Sequence, residues 1–133
     1  MSKGRVHCGA IEANGLVYAV GGDGLEGTVE EYNPATNTWT VRSAMPKARY
    51  QFAVGTVSGK IYVMGGINFG ATVYFAQPKV DVYDPLLNLW TVAAPLLSAR
   101  LDMAAATVNG KLYTLGGQFC GCIDEYDPIA NTW

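Results

Sequence analysis

A chain of 133 residues that is 50% hydrophobic, only 15% charged and carries 16 glycines belongs with ordered, turn-rich, single-domain proteins and not with disordered ones. Its net charge of −2 comes without any basic run, which argues against nucleic acid or anionic membrane as partners. No apolar stretch nears the roughly 18 residues of a membrane span, the opening residues do not read as a signal peptide, and the cysteines, Cys8, Cys120 and Cys122, form an odd set. A reducing, cytoplasmic setting is the expectation.

The chain repeats itself. Its first unit opens at Arg5 with "RVHCGAIEANGLVYAVGG". A short apolar run meets Asn14-Gly15, the dipeptide that most favours a two-residue hairpin turn, and a second run ends in a diglycine. After the loop "DGLEGT" comes "VEEYNPATNTW". This reads as a third strand stopped by proline, which cannot continue a ladder, and a fourth strand bearing Trp39. The second unit, "RYQFAVGTVSGKIYVMGG" from Arg49, turns at Ser58-Gly59. Ile61 and Val63 fall on one face of its second strand, Tyr62 and Met64 on the other, so that strand must be covered on both sides. Its loop, "INFGATVYFAQPK", exceeds the first unit's by about seven residues, and "VDVYDPLLNLW" follows. The third unit runs "RLDMAAATVNGKLYTLGG" from Arg100, then "QFCGC", then "IDEYDPIANTW".

Four strands covered on both faces by copies of themselves make a propeller blade. The expected fold is all-β: three four-stranded antiparallel blades, at about 5–45, 49–96 and 100–133 of one repeat region. The residues also closely resemble the Kelch repeat. Its Tyr-x-x-Gly-Gly signature stands three times, at Tyr18 with Gly21-Gly22, Tyr62 with Gly65-Gly66 and Tyr113 with Gly116-Gly117, as do the acidic-x-Tyr-Asx-Pro and tryptophan elements. The resemblance implies a Kelch-type β-propeller, in which five to seven blades usually close a ring.

Three blades leave two apolar faces uncovered. Two half-rings about a two-fold axis would supply six blades through head-to-tail contacts, so a homodimer of half-propellers is expected, with a piece of a longer chain as the other reading. "MSKGR" at the start aligns with "MPKAR" before the second unit, and Trp133 stands near the start of an outer strand. The third blade's outer strand would be missing, or completed by residues 1–3 of a neighbour.

Several residues invite chemistry. The diglycine loop "GGDGLEG" resembles a phosphate cradle, but no helix pattern follows it; the glycines serve tight backbone geometry. Cys120 and Cys122 lack the further ligands zinc requires, and His7 is the chain's one histidine, so free thiols, no metal and no cofactor are expected. The same shortage opposes a copper oxidase of the kind known on Kelch-like propellers. Trp39, Trp90 and Trp133, supported by Tyr32, Tyr83 and Tyr126, recur once per unit and fill the gaps between blades. Arg5, Arg49 and Arg100 also recur once per unit, with Glu30, Asp81 and Asp124 or backbone carbonyls as framework partners.

Function is expected where the repeats disagree. His7, Gln51 and Asp102 stand two residues after each arginine, polar and different in each blade, on the same face as the loops after the second strands. The long middle loop adds Asn68, Phe69, Tyr74 and Phe75. Kelch proteins that bind peptides line their pockets at these places, so the resemblance makes these residues, with the three arginines, candidates for ligand binding. The other reading of the loop is that it packs over the neighbouring blade. With no nucleophile–base pair or convergent carboxylates, the expectation is a non-enzymatic scaffold that binds a protein or peptide segment on the channel face. The alternative is a sugar-converting propeller enzyme such as a sialic-acid mutarotase, with arginines and His7 around the channel.

Overall fold

The computed structural model describes residues 1, 4–22, 27–68, 75–118 and 120–133. In chain order the strands are β1 Gly9–Ala13, β2 Leu16–Val20, β3 Val29–Asn33, β4 Thr38–Arg42, β5 Arg49–Tyr50, β6 Ala53–Val57, β7 Lys60–Met64, β8 Ile67–Asn68, β9 Val80–Asp84, β10 Leu89–Ala93, β11 Ala104–Val108, β12 Lys111–Leu115 and β13 Ile123–Tyr126. They form two four-stranded antiparallel sheets, β1-β2-β3-β4 and β6-β7-β9-β10, a three-stranded sheet β11-β12-β13, and the short pair β5-β8. Among the described residues no helix is long and apolar enough to cross a membrane.

Each blade begins with the expected hairpin. Asn14-Gly15, Ser58-Gly59 and Asn109-Gly110 all have positive φ at both residues, 55° and 80°, 52° and 73°, 50° and 74°, the backbone that lets two twisted strands turn back in two residues. The Tyr-Asx-Pro stretches close as side-chain turns. Asp84 Oδ1 accepts from the Leu86 and Leu87 amides, Asn33 Oδ1 from that of Ala35, and Asp127 Oδ1 from those of Ile129 and Ala130.

The third blade corrects one expectation. It has three strands and not four: after β13 the chain turns back through a single bridge, Asp127 to Thr132. Trp133 nevertheless takes its blade-joint position, stacked on Tyr126 at 5.1 Å.

Two cores lie between the blades. In the first, Tyr18, Val20 and Val29 of blade one meet Ile61, Val63 and Tyr83 of blade two; in the second, Tyr62, Met64 and Val80 meet Leu112 and Tyr126. Each blade therefore has a forward face, turned to the next blade, and a rear face, turned to the previous one. Burying such faces is the main force holding blades together.

At the outer rim each joint is locked by a polar clamp. The Ser43 amide donates to Asn88 Oδ1 at 2.9 Å, and Trp90 Nε1 donates to the Ser43 carbonyl at 2.8 Å. One blade on, the Ala94 amide donates to Asn131 Oδ1 at 2.8 Å and Trp133 Nε1 to the Ala94 carbonyl at 2.9 Å. The clamp asparagines are held in turn by the hydroxyls of Tyr83 and Tyr126. Both clamps grip backbone, and in the first the Ser43 hydroxyl also donates to the Asn88 carbonyl at 2.9 Å. Asn88→Ala strips acceptors from the Ser43 amide and the Tyr83 hydroxyl and should cost about 1–3 kcal/mol. It should lower the urea midpoint with an unchanged slope. Asn37→Ala, at the same position of blade one, loses only the Tyr32 hydroxyl contact among the described residues and should cost less than half as much in the same titration.

Candidate ligand-binding face

The starts of the first strands and the loops after the second strands come together at one end of the blades, as the strand order requires. There β5 pairs with β8, setting Arg49 opposite Asn68 and Tyr50 opposite Ile67. The Gly66 amide donates to the Arg100 carbonyl of the next blade at 2.9 Å. A Cβ at Gly66, whose φ is +86°, would come within 2.6 Å of the Tyr50 carbonyl oxygen, so the diglycine allows the close approach of backbones that this end needs.

The three arginines lie beneath this surface and are committed to the framework. Arg49 donates to the carbonyls of Gly65, Lys79 and Val63 and to Asp81 Oδ2 at 2.7 Å, with both charged side chains fully buried. Burial pushes the Arg49 guanidinium below its ordinary value, and the Asp81 carboxylate pulls it back up. Arg5 holds the Gly21 and Thr28 carbonyls and Glu30 Oε2. Arg100 holds the Gly116 carbonyl, Thr114 Oγ1, Cys122 Sγ and Asp124. The framework pairing with Glu30, Asp81 and Asp124 is thus present in each blade, and these guanidiniums stitch the diglycine to the third strand.

Above them the structure brings together the three variable positions. His7, Gln51 and Asp102 have φ of 52°, 55° and 54°, the left-handed region that side chains other than glycine rarely adopt. Gln51 and Asp102 are joined twice: the Asp102 amide donates to the Gln51 carbonyl at 2.9 Å, and Gln51 Nε2 donates to Asp102 Oδ2 at 3.1 Å. The His7 ring lies 6.4 Å from that of Tyr50. A row of three polar side chains therefore crosses the three blades, with His7 and Asp102 exposed and Gln51 half-buried between them.

Asn68 is half-buried beside this row. Of the long loop's aromatics, Phe75 is 69% exposed, while Phe69 and Tyr74 lie outside the described residues. The loop's return arm does pack toward the next blade. The Gln77 amide donates to the Gly66 carbonyl at 2.8 Å, and Gln77 bridges to Arg100.

Cys120 and Cys122 are joined by a disulfide, which corrects the expectation of free thiols. The turn after Gly117 brings their Cα atoms to 5.3 Å, within the usual span for such a bond. Cys8 is free and exposed.

Sequence reasoning missed the clamp asparagines Asn37, Asn88 and Asn131. A signal existed, since asparagine precedes tryptophan by two residues in every unit, and all three have φ of 53° or 54°. It also missed the left-handed backbone of the variable row, which histidine and glutamine do not announce.

The sequence matches the family described as Kelch motif over residues 4–46 and 48–97. It is 32% identical to Kelch-like protein 35 of Mus musculus, over 100% of this chain and 23% of that protein. It is 31% identical to Kelch repeat and BTB domain-containing protein 12 of Homo sapiens, over 92% of this chain and 24% of that protein. Beta-scruin of Limulus polyphemus is 31% identical, over 100% of this chain and 16% of the relative. The chain thus spans a quarter or less of the length of these relatives. The solved structure of YjhT superposes with a TM-score of 0.77 at 24% identity, covering 88% of this chain and 35% of that one, which shows a common fold.

The glycine test separates stability from recognition in the variable row. Gln51→Gly relaxes the left-handed strain and should leave stability unchanged or raise it by about 0.5–1 kcal/mol. Gln51→Val, β-branched at the same φ, should lose about 1–3 kcal/mol. Thermal melts of the two variants check this.

Proposed function

The chain belongs to the Kelch-repeat family, and on that premise we propose that it is a non-enzymatic interaction scaffold that docks a protein or peptide segment on the channel face. The observation that carries this reading is the row His7, Gln51 and Asp102. Where the backbone needs a left-handed residue elsewhere, the described chain uses glycine, or asparagine and serine in turns. Here it holds histidine, glutamine and aspartate in that strained state, different in each blade on an otherwise repeated frame. Strain kept at one surface position of every repeat points to side chains retained for recognition. Asn68 and Phe75 belong to the proposed surface, while Phe69 and Tyr74 of the same loop lie outside the described residues. Arg5, Arg49 and Arg100 support it from below.

A peptide docked here would meet a carboxylate, an amide and an imidazole in line, with an aromatic edge at Phe75. Such a face favours a polar segment carrying one apolar anchor. The kinship with Kelch-like proteins supports a binding role. In this reading the cytoplasm is where the partner is met, and a second copy of the chain completes the ring around the channel.

The test is a peptide-display selection against the native chain, followed by binding of the selected peptides to the His7→Gly, Gln51→Gly, Asp102→Gly triple variant. Glycine suits the backbone at all three sites, so the variant should fold and melt as the parent does. Binding should fall at least tenfold. Peptides that bind the variant unchanged, or saturable sugar turnover by the native chain, would contradict the proposal.

A further inference from the structure

Given closure by a second copy, we infer that the rear face of blade one is the receiving half of a blade joint, and that it takes the forward face of blade three from the other copy. The geometry of the joint is already on display twice inside the molecule. On the rear face of blade two, Ile61 and Val63 are fully buried, as are Leu112 and Thr114 at the same register positions of blade three. Their counterparts in blade one are Val17 and Ala19. Val17 is 37% exposed, although the smaller Ala19 is buried, and Trp39, on the same face's outer strand, is 41% exposed.

The forward faces show the complementary pattern. Val20 lies opposite Val29, Met64 opposite Val80 and Leu115 opposite Ile123 in the three blades. The first two pairs are buried to the last atom, whereas Leu115 is 39% and Ile123 66% exposed. Val108, at the place of buried Ala13 and Val57, is half exposed. Blade three therefore carries a joint face with nothing described against it.

The polar groups on that face suit burial. Tyr113 donates its hydroxyl to Glu125, which is also paired with Lys111. The same device sits inside the first joint, where the Tyr18 hydroxyl donates to Glu31 at 2.6 Å and Arg42 grips the same carboxylate with two nitrogens. There burial raises the Tyr18 hydroxyl well above its ordinary value, and the Glu31 bond raises it further. Burial alone would raise Glu31, but the bonds from Arg42 and Tyr18 outweigh it and hold the carboxyl low. An internally neutralised acid is the form in which a carboxylate tolerates a covered face.

The receiving face is also pre-shaped. Tyr32 donates to Asn37 Oδ1 at 3.0 Å and its ring lies 4.9 Å from that of Trp39, the same group as Tyr83–Asn88–Trp90 and Tyr126–Asn131–Trp133, although blade three offers it no outer-strand backbone to clamp among the described residues. Because a rear face fits a forward face and not its own kind, the contact is head-to-tail, and two copies close it into a ring of six.

Light scattering with Val17→Asp and Ile123→Asp tests this arrangement. Both side chains are exposed, so the variants should keep the parent's circular dichroism, while losing with the dimer the stability its joints supply. The native chain should show about twice 14.2 kDa. Each variant alone buries an unpaired carboxylate in both joints and should dimerise roughly a hundredfold more weakly. An equal mixture of the two variants restores one wholly native joint and should regain dimer mass. A native chain that stays monomeric, or grows into larger open assemblies, would overturn the inference. So would a dimer that only one variant disrupts, the mark of like faces pairing, or a mixture that gains nothing. Peptide binding is read separately, so its failure would leave this result standing.

Discussion

The whole structure depends on one constraint: a strand that is apolar on both faces must be covered on both. β7 shows it most plainly. Ile61 and Val63 face blade one, Tyr62 and Met64 face blade three, and none of the four is more than 7% exposed. No single sheet can satisfy such a strand, so each blade leans on its neighbours. Stability in this fold is therefore a property of joints more than of blades. Each joint has an apolar middle and a polar rim, where tryptophan and asparagine hold the backbone of the strand before them.

That division explains where function can reside. The buried arginines, with their carbonyl and carboxylate partners, make the inner end of each blade rigid and nearly identical. Substitution there disturbs the frame: removing Asp81 takes the carboxylate partner from the buried Arg49 guanidinium, and removing Arg49 leaves the buried Asp81 carboxylate to Lys79 at 2.8 Å. The residues just above are free of this duty and differ from blade to blade. A rigid repeated frame with a variable row on its surface is an economical way to present different side chains at fixed spacing.

Much of the fold is legible in the sequence because its signals are local. Asn14-Gly15 states a hairpin, the Tyr-Asx-Pro stretches state a strand end, and the alternation in "KIYVM" states a sheet covered twice. The arginine pairs were legible from recurrence, since an acid stands two residues before the Tyr-Asx-Pro tyrosine in each unit. What stayed hidden depends on contacts between units. The Asn–Trp clamp links residues 37 or more apart, so "NTW" shows its residues but not their partner. The backbone state of His7 and Gln51 is imposed by neighbours against local preference, and conflict of this sort has no signature in a single strand. The Cys120–Cys122 bond likewise follows from where the chain is led, and not from composition.

The clamp is the part of this account that a single spectrum can test. In a chain labelled with nitrogen-15 at its tryptophans, the three indole N–H groups give three resonances whose exchange with solvent can be timed. Trp90 and Trp133, bonded to the Ser43 and Ala94 carbonyls, should exchange slowly. Trp39, which has no such carbonyl among the described residues, should exchange at least tenfold faster. Equal exchange at all three positions would contradict a joint held by tryptophan and backbone.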